Sequence, residues 1–114
     1  MSRVIIAGSR EFNDYNVLLE AIDEAPFYVT YVISGGAKGV DAMGERYASE
    51  MDIPMAVYLP DWSQYGKVAG PMRNAKMADG ADALIALWDG KSKGTKNMIE
   101  TAQKKGLKVY VKEI

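Results

Sequence analysis

The sequence contains no cysteine and no histidine. Without cysteine the chain cannot form a disulfide, use a thiolate nucleophile or bind a metal through sulfur. Without histidine it lacks the usual general base near neutral pH and the most common metal ligand. We therefore predict no metal site, and any catalysis would depend on carboxylates, amines, guanidinium groups or hydroxyls.

Long apolar runs and a large excess of one charge are also missing. The run Val-Ile-Ile-Ala at 4–7 is too short for a signal-peptide core or a membrane span, so we predict a cytoplasmic protein without a membrane partner. The chain has 14 basic and 15 acidic residues and a net charge of −1. This balance argues against a mainly electrostatic nucleic-acid binder, so a nucleic-acid partner is not expected.

What the chain does contain is a regular alternation of strand-like and helix-like segments. Its 114 residues, 48% of them hydrophobic, suit one domain spanning residues 1–114. Short β-branched or aromatic runs predict strands at 4–7, 28–33, 55–59, 83–88 and 107–111. Apolar spacing predicts helices at 13–25, 40–52, 71–79 and 95–105, with a long loop at 60–70. This alternation predicts an α/β, Rossmann-like three-layer sandwich whose five-stranded, mainly parallel sheet has the order 3-2-1-4-5.

Two turns rich in glycine and lysine follow predicted strands, at 34–41 (Ser-Gly-Gly-Ala-Lys-Gly-Val-Asp) and 89–95 (Asp-Gly-Lys-Ser-Lys-Gly-Thr). Glycine lets the backbone approach an anion, and the helix that follows supplies N–H donors. The alternatives are a tight turn in which Asp41 stabilises the first helical turn, and a solvated loop with Thr95 as helix cap or first residue. Ligands bind beyond the carboxyl ends of parallel strands, so both turns together favour a phosphate site.

Other polar residues lie at the same predicted edge. Ser9 and Arg10 are suited to phosphate or ribose, Trp62 to stacking on a base, and Arg73 to clamping a phosphate. Their alternatives are a solvated turn, a lid over the core and an exposed helix arginine. We expect Lys38 and Arg73 near the surface, where alanine would weaken binding with little effect on stability. The predicted ligand-binding residues are Gly8, Ser9, Arg10, Gly35, Gly36, Lys38, Gly39, Asp41, Trp62, Arg73, Asn74, Asp89, Lys93, Gly94 and Thr95.

The ordered set of motifs resembles the SLOG superfamily, and within it the small YspA/YpsA-related branch. The pattern consists of residues 8–10, 34–41, 61–62, 65–67, 69–71, 73–74 and 93–95. The resemblance implies a Rossmann-like fold and a pocket for a nucleotide or a nucleotide-derived signal. Members of the superfamily include phosphoribohydrolases, single-stranded DNA binders and sensors in conflicts between phages and hosts, and relatives often form homodimers.

One departure bears on catalysis. LOG-type phosphoribohydrolases carry a catalytic Glu in Pro-Gly-Gly-x-Gly-Thr-x-x-Glu, and Met98 stands at that position here, while Glu100 lies roughly 200° further around the helix. Asn74 also replaces the Lys of their Arg-Lys pair. We therefore expect binding or sensing of a nucleotide-like ligand, with no other cofactor. The alternatives are a nucleotide N-glycosidic hydrolase, with Asp41 or Asp89 as catalytic candidates, and a single-stranded nucleic-acid binder.

Overall fold

The computed structural model describes residues 2–114, which form a five-stranded parallel sheet in the order β3-β2-β1-β4-β5. The strands are β1 (Arg3–Gly8), β2 (Tyr31–Ser34), β3 (Met55–Val57), β4 (Ala83–Trp88) and β5 (Lys108–Glu113). The helices are α1 (Tyr15–Glu24), α2 (Val40–Glu50), α3 (Trp62–Tyr65), α4 (Ala69–Asp79) and α5 (Lys93–Lys104), with a 3₁₀ turn at Gly66–Val68. The predicted α/β class and strand order are confirmed.

The central strand β1 is buried on both faces, as its uninterrupted apolar sequence predicts. Val4 and Ile6 pack on one face with the core residues of α1 and α2, including Leu18 and Val40. Ile5 packs on the other face with core residues of α4 and α5. Helices therefore cover both faces of the sheet and give three layers, and each fully buried Ile contributes roughly 1.5–3 kcal/mol through removal of its surface from water.

The parallel register brings the ends of three neighbouring strands to one edge. Ile5 of β1 pairs with Ile33 of β2 and with Leu84 of β4. The chain runs from β1 outward to β2 and β3, then returns across β1 to β4 and β5. The carboxyl ends of β1 and β4 therefore flank the point at which the strand order reverses, and this is where open α/β sheets form clefts.

The predicted loop at 60–70 is instead largely helical. Asp61 Oδ1 accepts hydrogen bonds from the Gln64 amide (3.1 Å) and from Ser63 Oγ (2.7 Å), which begins α3. Gly66 has a φ of 59° and ends this helix, after which the 3₁₀ turn leads into α4. The prediction was wrong here because the segment is short and exposed, and its capping residue stands without the apolar periodicity that marks a longer helix.

Smaller differences concern the ends of elements. The strand predicted at 28–33 is observed at Tyr31–Ser34, with Tyr28 left exposed, and β3 ends at Val57. Helix α5 is capped by Ser92, whose Oγ accepts from the Thr95 amide (3.3 Å), so Thr95 lies inside the helix. Within residues 2–114, no helix has both the length and the apolar character that crossing a membrane requires.

Candidate ligand-binding cleft

A cleft of about 640 Å³ opens at the carboxyl ends of β1 and β2, between the loop after β3 and the start of α5. Two glycines allow its walls to approach closely. A Cβ atom at Gly8 would collide with the Leu87 carbonyl oxygen, and one at Gly35 would lie 2.6 Å from Arg73 Nη1 and 2.8 Å from Asp41 Oδ2. Glycine at 35 therefore lets a guanidinium group and a carboxylate flank the same backbone position.

Arg73 is half-buried and holds three parts of the cleft together. Its Nη1 donates to the carbonyl oxygens of Gly35 and, at 3.4 Å, of Tyr58, while its Nε donates to Asn74 Oδ1 at 3.0 Å. Burial lowers the pKa of Arg73, and the neighbouring Asp41 carboxylate opposes this change. Arg73 thus connects α4 with the chain that follows β2 and β3, in addition to lining the cleft.

Asn74 continues this network toward α5. It is only 4% exposed, and its Nδ2 donates to Asn97 Oδ1 at 2.9 Å and to the Gly94 carbonyl oxygen at 3.4 Å. The side chain of Asn74 therefore has partners on both its oxygen and its nitrogen. Asn74 therefore fixes the first turn of α5 relative to α4. A lysine at this position would have no oxygen to accept the hydrogen bond from Arg73 Nε.

Asp41 lies in the first turn of α2, directly after the glycine-rich turn that follows β2. It is 6% exposed, and its Oδ2 accepts a hydrogen bond from the Ala37 amide at 3.2 Å. Burial raises the pKa of Asp41, with an additional contribution from Glu45, whereas the Ala37 hydrogen bond and the charges of Arg73 and Arg10 lower it. The carboxylate therefore lies near the α2 N-terminus, where an external anion would otherwise find the amide of Ala37.

Other amides of the glycine-rich segment 34–41 also have partners within the protein. Gly36 N donates to Ser34 Oγ at 3.1 Å, and Val40 N donates to the Ser9 carbonyl oxygen at 3.2 Å. Gly39, with a φ of 71°, packs so closely on the backbone of Ser9 and Arg10 that a Cβ would collide with it. This turn consequently offers fewer unused N–H donors than its glycine content suggests.

The second glycine turn is organised by Asp89 and Ser92. Asp89 Oδ1 accepts from the amides of Lys91 and Ser92, both at 2.8 Å, and these donors lower the pKa of Asp89. Lys93 and Gly94 then form the first residues of α5, where amides have no intrahelical acceptor. A Cβ at Gly94 would meet nothing within 4 Å, so the backbone here is open toward the cleft that both residues line.

The structure brings most of the predicted site residues together, but not all of them. Those that line the cleft are Gly8, Arg10, Gly35, Gly36, Asp41, Trp62, Arg73, Asn74, Lys93, Gly94 and Thr95. Ser9, Lys38, Gly39 and Asp89 lie outside its lining; Gly39 and Asp89 shape the two turns, and Lys38 is exposed. Sequence analysis missed Lys67 and Asn97, although Lys67 belongs to the 65–67 motif and Asn97 lies one helical turn after Lys93.

The charges around the cleft are uneven. Arg10, Lys67, Arg73 and Lys93 line it with a single carboxylate, Asp41, although the whole chain has a net charge of −1. The described residues 2–114 contain no group of three or more acidic side chains placed to hold a metal ion. An anion that enters the cleft would meet mainly positive side chains.

One wall of the cleft is apolar and exposed. Leu59 is 72% and Trp62 is 55% accessible, and Pro60 and Pro71 extend the same wall. The Trp62 ring lies over Gly70, where a Cβ would come within 3.2 Å of Cη2. The cleft thus combines a flat apolar surface with a positively charged region, and Met98, 1% exposed, contributes to its lining.

A doubly covered parallel sheet with a cleft at its strand-order reversal defines a Rossmann-like α/β protein. The same architecture is found in DNA processing protein A from Streptococcus pneumoniae, with a TM-score of 0.75 and 17% sequence identity over 96% of this chain. The chain spans about half of that protein's length, 49%.

Sequence comparison assigns the family. A family model described as "YspA, cpYpsA-related SLOG family" matches residues 2–65. The chain is also 35% identical over 119 aligned positions to the Gene 61 protein of Mycobacterium phage D29, covering 96% of this chain and 94% of the relative. The chain belongs to the YspA, cpYpsA-related SLOG family, and the resemblance found in its motifs is confirmed.

Proposed function

We propose that this protein binds a nucleotide or a nucleotide-derived small molecule in the cleft. The observation that carries the proposal is the combination of four cationic side chains and one carboxylate with an apolar wall in a single cleft of about 640 Å³. Small-molecule sites typically measure roughly 300–1,000 Å³. Phosphate and an aromatic base together match a cleft whose lining contains both cationic side chains and a flat, apolar surface.

The start of α5 is the proposed phosphate position. The amides of Lys93 and Gly94 point out of the first helical turn, the helix dipole adds partial positive charge, and the Lys93 side chain adds a full charge. The turn before α2 is a weaker candidate because Asp41 already accepts the Ala37 amide. The base is proposed to rest against Trp62, where stacking on an indole ring stabilises any nucleobase.

The hydrolase alternative has less support in the cleft. Met98 lines it at the position where LOG-type enzymes have their catalytic Glu, and a thioether can neither activate water nor stabilise an oxocarbenium ion. Glu100 is exposed and outside the cleft lining. Asp41 is the carboxylate that a hydrolase would have to use. Single-stranded nucleic acid is a second alternative, favoured by the structural similarity to DNA processing protein A.

Isothermal titration calorimetry with ribonucleoside mono-, di- and triphosphates tests the proposal. We expect at least one to bind, and Lys93→Ala to weaken it about 10-fold, the effect of losing a charge-assisted hydrogen bond. The matched control is Lys104→Ala, the last residue of the same helix, roughly 16 Å away. Absence of binding, or equal losses in both variants, would contradict the proposal.

Two further measurements distinguish the alternatives. Mass spectrometry of the incubated nucleotide detects free base if the protein is a hydrolase. A fluorescent oligothymidine reports single-strand binding, and competition by the mononucleotide shows whether the two share the cleft. Stoichiometric binding without released base or oligonucleotide affinity is the result expected for a small-molecule binding or sensing domain.

A further inference from the structure

Asp41 is a buried carboxylate with one oxygen that the fold does not use. Its Oδ2 accepts from the Ala37 amide, whereas Oδ1 accepts no hydrogen bond from residues 2–114. Since no buried side-chain oxygen or nitrogen in that range lacks a partner, Oδ1 keeps contact with solvent, and Asp41 is one of the residues that line the cleft. The remainder of the side chain is enclosed, with 6% of the residue exposed.

Stabilisation of helix α2 explains why an acidic residue stands at position 41, but not why its carboxylate is buried with one oxygen unused. An acidic residue in a first helical turn interacts favourably with the helix dipole, but it does so equally well at the surface. Burying a charged group costs free energy unless its hydrogen-bonding capacity is filled. The Ala37 hydrogen bond needs one acceptor oxygen, which an asparagine also supplies. The second oxygen receives no donor from the described chain, so only water or a ligand can donate to it.

Arg73 supplies the complementary group on the other side of Gly35. Its Nη1 and Asp41 Oδ2 both approach the position that a Cβ of residue 35 would take, but the two side chains form no ion pair in the described chain. The remaining charged groups that act on Asp41 are Arg10 and Glu45. A ligand group entering beside Gly35 thus meets an acceptor at Asp41 next to the positive charge of Arg73.

We propose that Asp41 is a specificity-determining residue that accepts a hydrogen bond from a ribose hydroxyl of the bound nucleotide, so that the cleft selects ribonucleotides over deoxynucleotides. The inference rests on the proposed function and adds the part of the ligand that is recognised. A hydroxyl donates to the carboxylate and can accept from Arg73 at once, whereas a phosphate would be repelled by Asp41. A deoxy sugar that displaces water from Oδ1 supplies no donor in its place, and sites of this kind discriminate against analogues that lack the hydroxyl.

The experiment compares the ribo, 2′-deoxy and 3′-deoxy forms of the nucleotide that binds best, by titration calorimetry on the intact chain. We expect the ribo form to bind the unaltered protein about 10- to 100-fold more tightly than at least one deoxy form, the range for a hydrogen bond to a charged group. Asp41→Ala removes both oxygens, and we expect the ratio to fall to about 3-fold or less. Asp41→Asn keeps the shape, and we expect an intermediate ratio.

Glu11→Gln is the matched control because Glu11 is an exposed acid in the loop after β1 and lies outside the cleft lining. It should keep the ratio of the unaltered protein. Equal affinities of the unaltered protein for ribo and both deoxy forms would overturn the inference while leaving the proposed function intact. Failure of every nucleotide to bind would overturn both. If Asp41→Ala does not fold, the ratio measured on the unaltered protein and on Asp41→Asn still decides the outcome.

Discussion

The guanidinium group of Arg73 donates a hydrogen bond to the carbonyl oxygen of Gly35, which lies 38 residues earlier in the chain. The same Nη1 lies 3.4 Å from the Tyr58 carbonyl oxygen, and Nε lies 3.0 Å from Asn74 Oδ1. One side chain thus satisfies acceptors on three segments that border the cleft. Arg73 is therefore structural as well as accessible to a ligand, and its two roles can be separated by experiment.

Arg73→Ala should lower the free energy of unfolding by about 1–3 kcal/mol, because partly buried acceptors lose a charged donor. Thermal or urea denaturation of the ligand-free protein measures the effect. Lys76→Ala, on the exposed side of the same helix, is the control and should change stability by less than about 0.5 kcal/mol. Equal stability of the two variants would show that the Arg73 hydrogen bonds contribute nothing net to folding.

This prediction replaces the expectation from sequence that Arg73 lies near the surface and that its loss leaves stability unchanged. The sequence places Arg73 near a helix start at the edge of the sheet, and this was enough to mark it as a site residue. It does not reveal that Gly35, far away in sequence, lacks a side chain where the guanidinium group needs room. Burial of a long polar side chain depends on such distant partners.

The Asn74–Asn97 hydrogen bond gives a second prediction about the architecture of the cleft. Nδ2 of Asn74 lies 2.9 Å from Oδ1 of Asn97, and Asn74 is buried. A double-mutant cycle with Asn74→Ala, Asn97→Ala and the double variant should give a coupling free energy of about 0.5–1.5 kcal/mol, measured by urea denaturation. The control pair combines Asn74→Ala with Asn16→Ala, at an exposed position of α1, and should be additive within about 0.5 kcal/mol.

Asp41 leads to a prediction about pH. Because burial raises its pKa in the folded protein, the folded state binds the proton more tightly than the unfolded state does. Stability from this group is therefore greatest below its ordinary pKa of about 4 and falls as pH rises through the higher folded value. Asp41→Asn keeps an acceptor for Ala37 without the charge, so the ligand-free variant should have a higher Tm than the unaltered protein at pH 7.

The difference in Tm should shrink as the pH is lowered below about 4, where the carboxyl group is protonated in both states. Differential scanning fluorimetry between pH 3.5 and 8 measures it, with Glu11→Gln as the control for removal of one negative charge. A variant that is less stable than the unaltered protein at pH 7 would mean that attraction to Arg73 and Arg10 outweighs desolvation. Higher stability of Asp41→Asn with weaker ligand binding would identify Asp41 as a residue kept for binding at a cost to folding.

How far the sequence predicts the site depends on the range of the interactions involved. Apolar runs and helical spacing are local, and they predict the strands and helices. The rules for connections in parallel sheets then predict the strand order and hence the edge at which residues 8–10, 34–41 and 89–95 meet. Which amides of the turn at 34–41 already have acceptors is determined by its folded conformation and by its contact with the loop after β1. Ser34 Oγ, Asp41 Oδ2 and the Ser9 carbonyl oxygen occupy three of the first turn's donors, which glycine content alone does not reveal.

Gly94 allows the proposed phosphate position to be tested without disturbing the fold. It is the second residue of α5, and a Cβ there would meet nothing within 4 Å. Gly94→Ala should therefore leave stability unchanged or raise it by up to about 1 kcal/mol, since alanine is the better helix former. The added methyl group would stand where an anion approaches the amides of Lys93 and Gly94, so nucleotide affinity should fall by about 10-fold or more.

Gly80→Ala, at the end of α4 and outside the cleft lining, is the control for Gly94→Ala and should bind as the unaltered protein does. Denaturation and titration calorimetry on the same samples give both quantities. Gly94→Ala with unchanged nucleotide affinity would move the phosphate away from α5, whereas a loss of affinity with intact stability supports its position there.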